Sequence, residues 1–562
     1  MSCLFRPLRL VLLLTIGLAA TGCSHDREIS TSQSEQENPP VTTLSPPPVP
    51  TEPMVADQVR KAEAKSGVVS GQVAAAPATR AFANELYDLR LPSAPTNRDR
   101  FAHINDNPLH LTLQEPVSTF SIDVDTGAYA LVRRAISEGR LPPTDAVRVE
   151  EMINYFDYAY PQPQDGAPFS VMTEVGPTPW NPNTRLVHIG IQGKAIAAAQ
   201  RPAANLVFLI DVSGSMESPD KLPLLKSAFR LLTKQLTAKD RVTLVVYAGN
   251  SGVVLEPTAG DHQAQILAAI DRLEAGGSTH GSAGIQLAYA MAEASRIKGG
   301  INRVILATDG DFNVGTVNQE QLIDLIEQKR CKGITLTTLG FGEGNYNDQL
   351  MEQLADKGNG NYAYIDTLNE ARKVLVDELS ATLETIAKDV KIQIEWNPAQ
   401  VSEYRLIGYE NRLLNREDFN NDKVDAGDIG AGHTVTALYE ITLKGEPGQI
   451  DPLRYGSNEP ARGKGGELAF LKLRYKAPEG ETSQLITHPI DVRQMETKLE
   501  STSESYRFSA AVAAFGQLLR GGRYTGKFAY DDVEKLARGA RGEDKFGYRS
   551  EFLQLVRQAA TL

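Results

Sequence analysis

Three cysteines, at positions 3, 23 and 331, are all that 562 residues supply, too few to staple a scaffold with disulfides. No two of them form a CxxC pair, so the thiolate framework of a structural zinc site is missing. The eight histidines are scattered and no HExxH occurs, which removes the commonest hydrolytic zinc motif. Positive charge is in deficit: 58 Lys and Arg stand against 70 Asp and Glu, for a net charge of −12. That balance argues against sequence-independent nucleic-acid binding, which needs cations to displace phosphate counterions. Other enzyme signatures fail on inspection. Asp211 stands where a GxSxG elbow around Ser213 needs glycine. Gly521 to Lys527 imitates a phosphate loop, but Phe528 replaces its Ser or Thr and a helical pattern precedes it. No nucleophile–base pair is visible, so the chain reads as a non-enzyme. What is present is an ordinary globular composition, 41% hydrophobic and 23% charged, long enough for about three to four domains.

The one pronounced apolar run is at the start. Arg6 and Arg9 precede Leu10 to Ala20, a stretch of signal-peptide length and too short to span a bilayer stably. It ends in Ala19-Ala20-Thr21-Gly22-Cys23, which resembles the lipobox of bacterial lipoproteins, with Ala20 where Leu is usual. The resemblance implies a signal peptide over residues 1–22 and an acylated Cys23 that anchors the chain in the cell envelope. An ordinary signal peptide with a coincidental Cys is the alternative. Ser24, in place of Asp, leans towards the outer membrane, facing the periplasm, if the source is Gram-negative. With Cys3 removed and Cys23 lipidated, Cys331 stands alone and reads as a half-buried helix-end residue, with a reactive thiol or pairing between chains as the alternatives. Residues 23–84, rich in Ser, Pro, Gln and Ala, cannot bury enough apolar surface to fold and read as a disordered tether.

Beyond the tether, periodicity changes several times. Residues 101–163 combine a strand at 118–125 with helical stripes at 126–139 and 147–158, an N-terminal α+β unit. Residues 167–200 alternate like the first strands of a β-sandwich. From 204 to 388, apolar strands such as Leu206 to Ile210 alternate with amphipathic helices, which implies a doubly wound, mostly parallel α/β sheet. Residues 389–490 return to strands at 390–394, 433–441 and 468–475, and 496–562 are helical. Strands on either side of the α/β unit are too few to close a core separately. The expected fold is therefore an α/β sheet inserted in a β-sandwich, with helical N- and C-terminal pieces.

The chemistry concentrates at predicted strand ends. Asp211-Val212-Ser213-Gly214-Ser215 follows one apolar strand and Thr308-Asp309-Gly310 ends another, while Gly276-Gly277-Ser278-Thr279 opens a helix. Parallel strands bring such loops to one edge, where open α/β sheets bind ligands. Hydroxyls from Ser213, Ser215 and Thr279, with carboxylates from Asp211 and Asp309, suit a hard divalent cation. Capping Ser and Asp residues at helix starts are the bland alternative. The five residues in this order resemble the von Willebrand factor type A (VWA) domain and its metal-ion-dependent adhesion site. That resemblance implies Mg²⁺ or Mn²⁺ as cofactor and a protein partner that offers an acidic side chain, with no nucleotide involved. Phe120 to Tyr158 and Asn411 to Glu440 further resemble the flanks of a family of bacterial VWA lipoproteins. Two other classes stay open: an accessory subunit of a MoxR- or chelatase-type AAA+ system, and, least favoured, an envelope hydrolase. Near the motif, His280 reads as a solvated loop histidine, with pH sensing or a ligand contact as the alternative, and Asp311 and Asn313 read as residues that shape the rim without ligating. Asp418, Asn420, Asp422, Asp425 and Asp428 are spaced a little like a calcium loop, but Lys423 replaces its glycine and no Glu closes it, so an exposed acidic loop is expected.

Overall fold

The computed structural model describes residues 98–164, 166–277, 281–310, 319–451 and 465–562. Cys23, the signal peptide, the tether, Thr279, His280, Asp311 and Asn313 lie outside them. The described chain opens with β1 (His110–Leu111), β2 (Val117–Ser121), α1 (Gly127–Ser137), α2 (Val149–Asn154) and the hairpin β3 (Phe169–Thr178) and β4 (Asn181–Gly193). The α/β region follows as β5 (Ala204–Asp211), α3 (Leu222–Thr233), β6 (Arg241–Tyr247), β7 (Ser251–Ala259), α4 (Gln263–Asp271), α5 (Gly281–Ala294), β8 (Ile301–Thr308), α6 (Gln319–Cys331), β9 (Thr335–Phe341), α7 (Asp348–Lys357) and β10 (Tyr362–Ile365). Then come β11 (Thr385–Trp396), β12 (Val401–Ile407), β13 (Ile429–Gly430), β14 (Thr434–Leu443), β15 (Glu467–Lys476), β16 (Ser483–Asp491) and helices α8 (Glu504–Leu519), α9 (Tyr530–Arg538) and α10 (Tyr548–Ala559).

β5 is apolar on both faces because helices cover both. Leu206, Phe208 and Ile210 pack with Leu225, Phe229 and Ile266 of α3 and α4. Val207 and Leu209 point the other way, to Ile285 and Tyr289 of α5 and Met351 of α7. The sheet runs β10-β9-β8-β5-β6-β7, parallel throughout except for β7, which returns antiparallel to β6. This is the doubly wound arrangement expected from the strand–helix alternation.

The sandwich draws on both sides of that insertion. One sheet runs β1-β12-β14-β4-β3, so β4, before the α/β region, pairs with β14, after it. In the other, β11 lies between β2 and β15, with β16 outermost and β13 on the first residues of β11. Val187, Ile189 and Tyr439 from the first sheet meet Phe120, Ile392, Ile394 and Leu471 from the second. The stretch read as an N-terminal unit is thereby shared out: β2 joins the sandwich, and α1 and α2 enter a third core with α8 and α10. There Phe156 meets Phe508 and Phe552 with ring centroids 5.0 and 5.7 Å apart.

Three further differences have local causes. Residues 368–383, at the end of the stretch read as alternating strands and helices, form only short helical turns, with a π-type turn at Lys373–Asp377, and the chain is already extended from Thr385. Lys373 holds that turn by bonding Glu378 at 2.5 Å while lying over the Tyr155 ring. Strands β12 and β16 carried no clear sequence pattern. Cys331 ends α6 and is exposed, where a half-buried residue was expected.

Candidate metal centre

β5 and β8 run side by side with Ile210 opposite Ala307, so Asp211 and Thr308 end level and Asp309 follows directly. Apolar strand residues up to that level leave the first polar residue of each chain at the sheet's carboxyl edge. The Asp211 side chain is buried and fully engaged. One oxygen accepts the Ser213 N–H at 2.8 Å. The other accepts the Thr308 hydroxyl at 2.9 Å and the Tyr247 hydroxyl at 3.2 Å. Burial pushes its pKa up to about 6; the bonds from Ser213 and Thr308 act in the opposite direction, and the nearby Asp309 charge adds to the rise.

Ser213 begins the turn after β5 and its Oγ lies 3.0 Å from the Oγ of Ser215, which is exposed. The Gly276-Gly277 loop is strapped to the same turn: Gly276 N–H donates to Val212 at 2.7 Å and Gly214 N–H donates to Gly277 at 3.1 Å. The chain that continues into Thr279 is thus held beside the two serines as far as Gly277. Gly310, at φ +84°, makes the turn after Asp309, and a Cβ there would overlap Tyr346 and the backbone of Asn347.

Asp309 is buried and accepts a bond from the Lys221 ammonium at 2.8 Å. Lys221, Tyr247 and Thr308 were not singled out from sequence. Lys221 carried one usable signal: a lysine at the start of a helix opposes the helix dipole, so its side chain needs another reason to be there.

The donor set fits a hard divalent cation. Every described side chain proposed as a ligand offers oxygen, two as neutral hydroxyls and two as carboxylates. The Lys221 ammonium seated against Asp309 shows that the edge accepts a positive charge. Ser213, Ser215 and Asp309 would hold the ion, with Asp211 orienting the Ser213 turn. Elsewhere, among the described residues, no group of three or more His, Cys, Asp or Glu could hold a metal. The segment spaced like a calcium loop spends its carboxylates on protein. Asp418 accepts the Asn415 N–H, Asp422 accepts the Ser483 N–H, Asp425 pairs with Arg330 and Asp428 accepts the Asp389 N–H. These four Asp residues are half-buried, so the segment is not an exposed acidic loop.

Comparisons with known proteins agree with this architecture. Residues 205–378 match the von Willebrand factor type A domain, residues 95–188 match a family described as von Willebrand factor, and residues 381–562 match one described as "Uncharacterized protein YfbK, C-terminal". YfbK of Escherichia coli (strain K12) is 49% identical over 469 residues, which is 82% of this chain and 81% of that protein. The Synechocystis protein sll0103 is 29% identical over 187 residues, 33% of this chain and 43% of that protein. Among solved structures, a von Willebrand factor type A protein from Catenulispora acidiphila is 17% identical and covers 72% of this chain and 91% of its own, with a TM-score of 0.39.

Proposed function

The chain belongs to the YfbK family of von Willebrand factor type A domain proteins, and from that premise we propose that it captures a protein partner through a divalent cation at Asp211, Ser213, Ser215, Thr279 and Asp309. A VWA domain makes this a protein-interaction protein. The observation that supports this reading is the meeting of two buried carboxylates and two hydroxyls at adjacent parallel strand ends. A bound Mg²⁺ or Mn²⁺ would supply an electrophilic coordination position for an acidic side chain of the partner. The chain's own residues keep that position open: Asp211 is occupied by Ser213, Tyr247 and Thr308, and so spends its charge on fixing the loop.

Mn²⁺ should raise the melting temperature of the wild type, because a ligand that binds only the native state stabilises it by mass action, by about 2.7 kcal/mol at a hundredfold excess over Kd. Ser213→Ala should fold, melt near the metal-free wild type and gain little from Mn²⁺. Equal Mn²⁺ shifts in the two proteins would mean that the ion binds elsewhere. The proposal includes a location: Cys23 carries lipid and the body works at the cell envelope, on the periplasmic face of the outer membrane in a Gram-negative source. Cys23→Ser should then move the protein from the membrane to the soluble fraction. Retention of that variant through a high-salt wash would refute the anchor.

A further inference from the structure

We infer that Lys221 is a tethered cation that occupies Asp309 when the metal is absent and competes with the metal for it, an inference that rests on the adhesion-site reading. A wandering surface lysine would not need the housing this one has. Its side chain is only 12% exposed and ends 2.8 Å from Asp309 Oδ2. The stem crosses Gly342, at φ +69° just after β9, where a Cβ would overlap the lysine Cγ, Cδ and Cε. Both walls of this passage are braced from the flank. Arg134 of α1 donates to Asp220, next to Lys221 in the chain, at 2.9 Å. It also donates at 2.7 Å to the Tyr364 hydroxyl, which donates to the Gly342 carbonyl at 2.5 Å. Ser218 donates to Asp220 at 2.6 Å and completes the loop.

The physical consequence follows from charge alone. Without a metal, Asp211 and Asp309 are neighbouring buried carboxylates that repel, and one ammonium offsets part of that repulsion. A divalent cation brought to the same edge faces the ammonium as a like charge at short range. Lys221 must then leave Asp309, and the pairing it gives up is subtracted from the metal's affinity. The chain thereby sets how readily the site fills and empties, and does so through a loop tied to the flanking helix α1.

Lys221→Met keeps the apolar stem over Gly342 and removes the charge. Titration of the full-length protein with Mn²⁺, following free Mn²⁺ by electron paramagnetic resonance, should show Kd tightened roughly tenfold, the scale on which groups around a metal's ligands tune its affinity. The metal-free melting temperature should fall at the same time. Lys221→Arg, which keeps a cation, should stay near wild type. Lys221→Gln should tighten as Met does and serves if the Met variant does not fold. Unchanged or weaker Mn²⁺ binding in the uncharged variants, while wild type still binds more tightly than Ser213→Ala, overturns the placeholder role alone. Equal binding by wild type and Ser213→Ala overturns the metal site, and the placeholder with it.

Discussion

Two of the clusters of buried carboxylates on the VWA domain are neutralised by different chemistry. Where α7 meets the flank, Asp348 receives both terminal nitrogens of Arg148, at 2.6 and 3.1 Å, and the Tyr362 hydroxyl at 2.6 Å. The same guanidinium binds Glu151, whose other role is to accept the Ala128 N–H at the start of α1. Close by, Arg412 reaches Asp123, Asp125, Glu352 and Asp356 at 2.7 to 3.4 Å. At the carboxyl ends of β5 and β8, by contrast, Asp211 and Asp309 meet hydroxyls and one lysine. A guanidinium is planar, permanently charged and forked, so it fills carboxylate lone pairs in a fixed geometry and leaves no place for a metal. Hydroxyls rotate and an ammonium swings on a flexible stem. The first arrangement joins the inserted domain to its flank; the second leaves room for exchange.

The largest expected effect tests that division. Arg148 is 1% exposed, and Arg148→Ala strands Asp348 and Glu151 as buried acids without their cation. Breaking a buried pair by removing one partner costs about 3–5 kcal/mol, so chemical denaturation should show a loss of that order. Ser213→Ala, measured without metal, removes one half-buried hydroxyl contact and should lose about 1 kcal/mol or less. Comparable losses in the two variants would mean that both clusters are structural, and the contrast would fall.

The sequence showed one of these clusters and concealed the other for a physical reason. β5, at the middle of the inserted sheet, reads as an apolar run because it is covered on both faces, and the DxSxS spacing sits at its end. The arginine network joins residues far apart in the chain, Arg148 with Asp348 and Arg412 with Asp123, and no local pattern carries such pairings. β12 was missed because its polar residues are buried. Glu403 accepts the N–H groups of Gln449 and Ile450, while Arg405 pairs with Glu440 and Gln517. β16 was missed because it is an edge strand, with exposed positions and Pro489. Lys221 shows its role only once β8 and β9 bring Asp309 and Gly342 together around it.

A smaller effect sharpens the comparison at a third carboxylate, which has neither a guanidinium fork nor hydroxyls. Asp428 accepts only the Asn359 side-chain amide at 3.2 Å and the Asp389 N–H at 3.1 Å, among the bonds formed by described residues. Burial first, and the charges of Asp389 and Asp425 after it, push its pKa up to about 7 from 3.8. Arg303 lines the same small cavity, and burial lowers its pKa to about 10; its Nε finds no hydrogen-bond partner among the described residues. A carboxyl raised in the folded state gives stability that is complete below the unfolded value and is lost as pH rises through the folded value. For Asp428 the window runs from about pH 4 to about pH 7. Asp428→Asn keeps the neutral form's shape and removes the ionisation, so its stability relative to wild type should grow between pH 5 and pH 8 by about 2 kcal/mol and level off above that. Glu151, raised to about 7 by burial, has the same sign and remains in both proteins, so the difference between them isolates Asp428. Urea unfolding of the pair at pH 5, 6.5 and 8 reads this directly. A difference that stays flat with pH would mean that Asp428 is ionised throughout. It would then be neutralised in place as Asp348 is by Arg148, and Arg303 would belong with the fixing arginines.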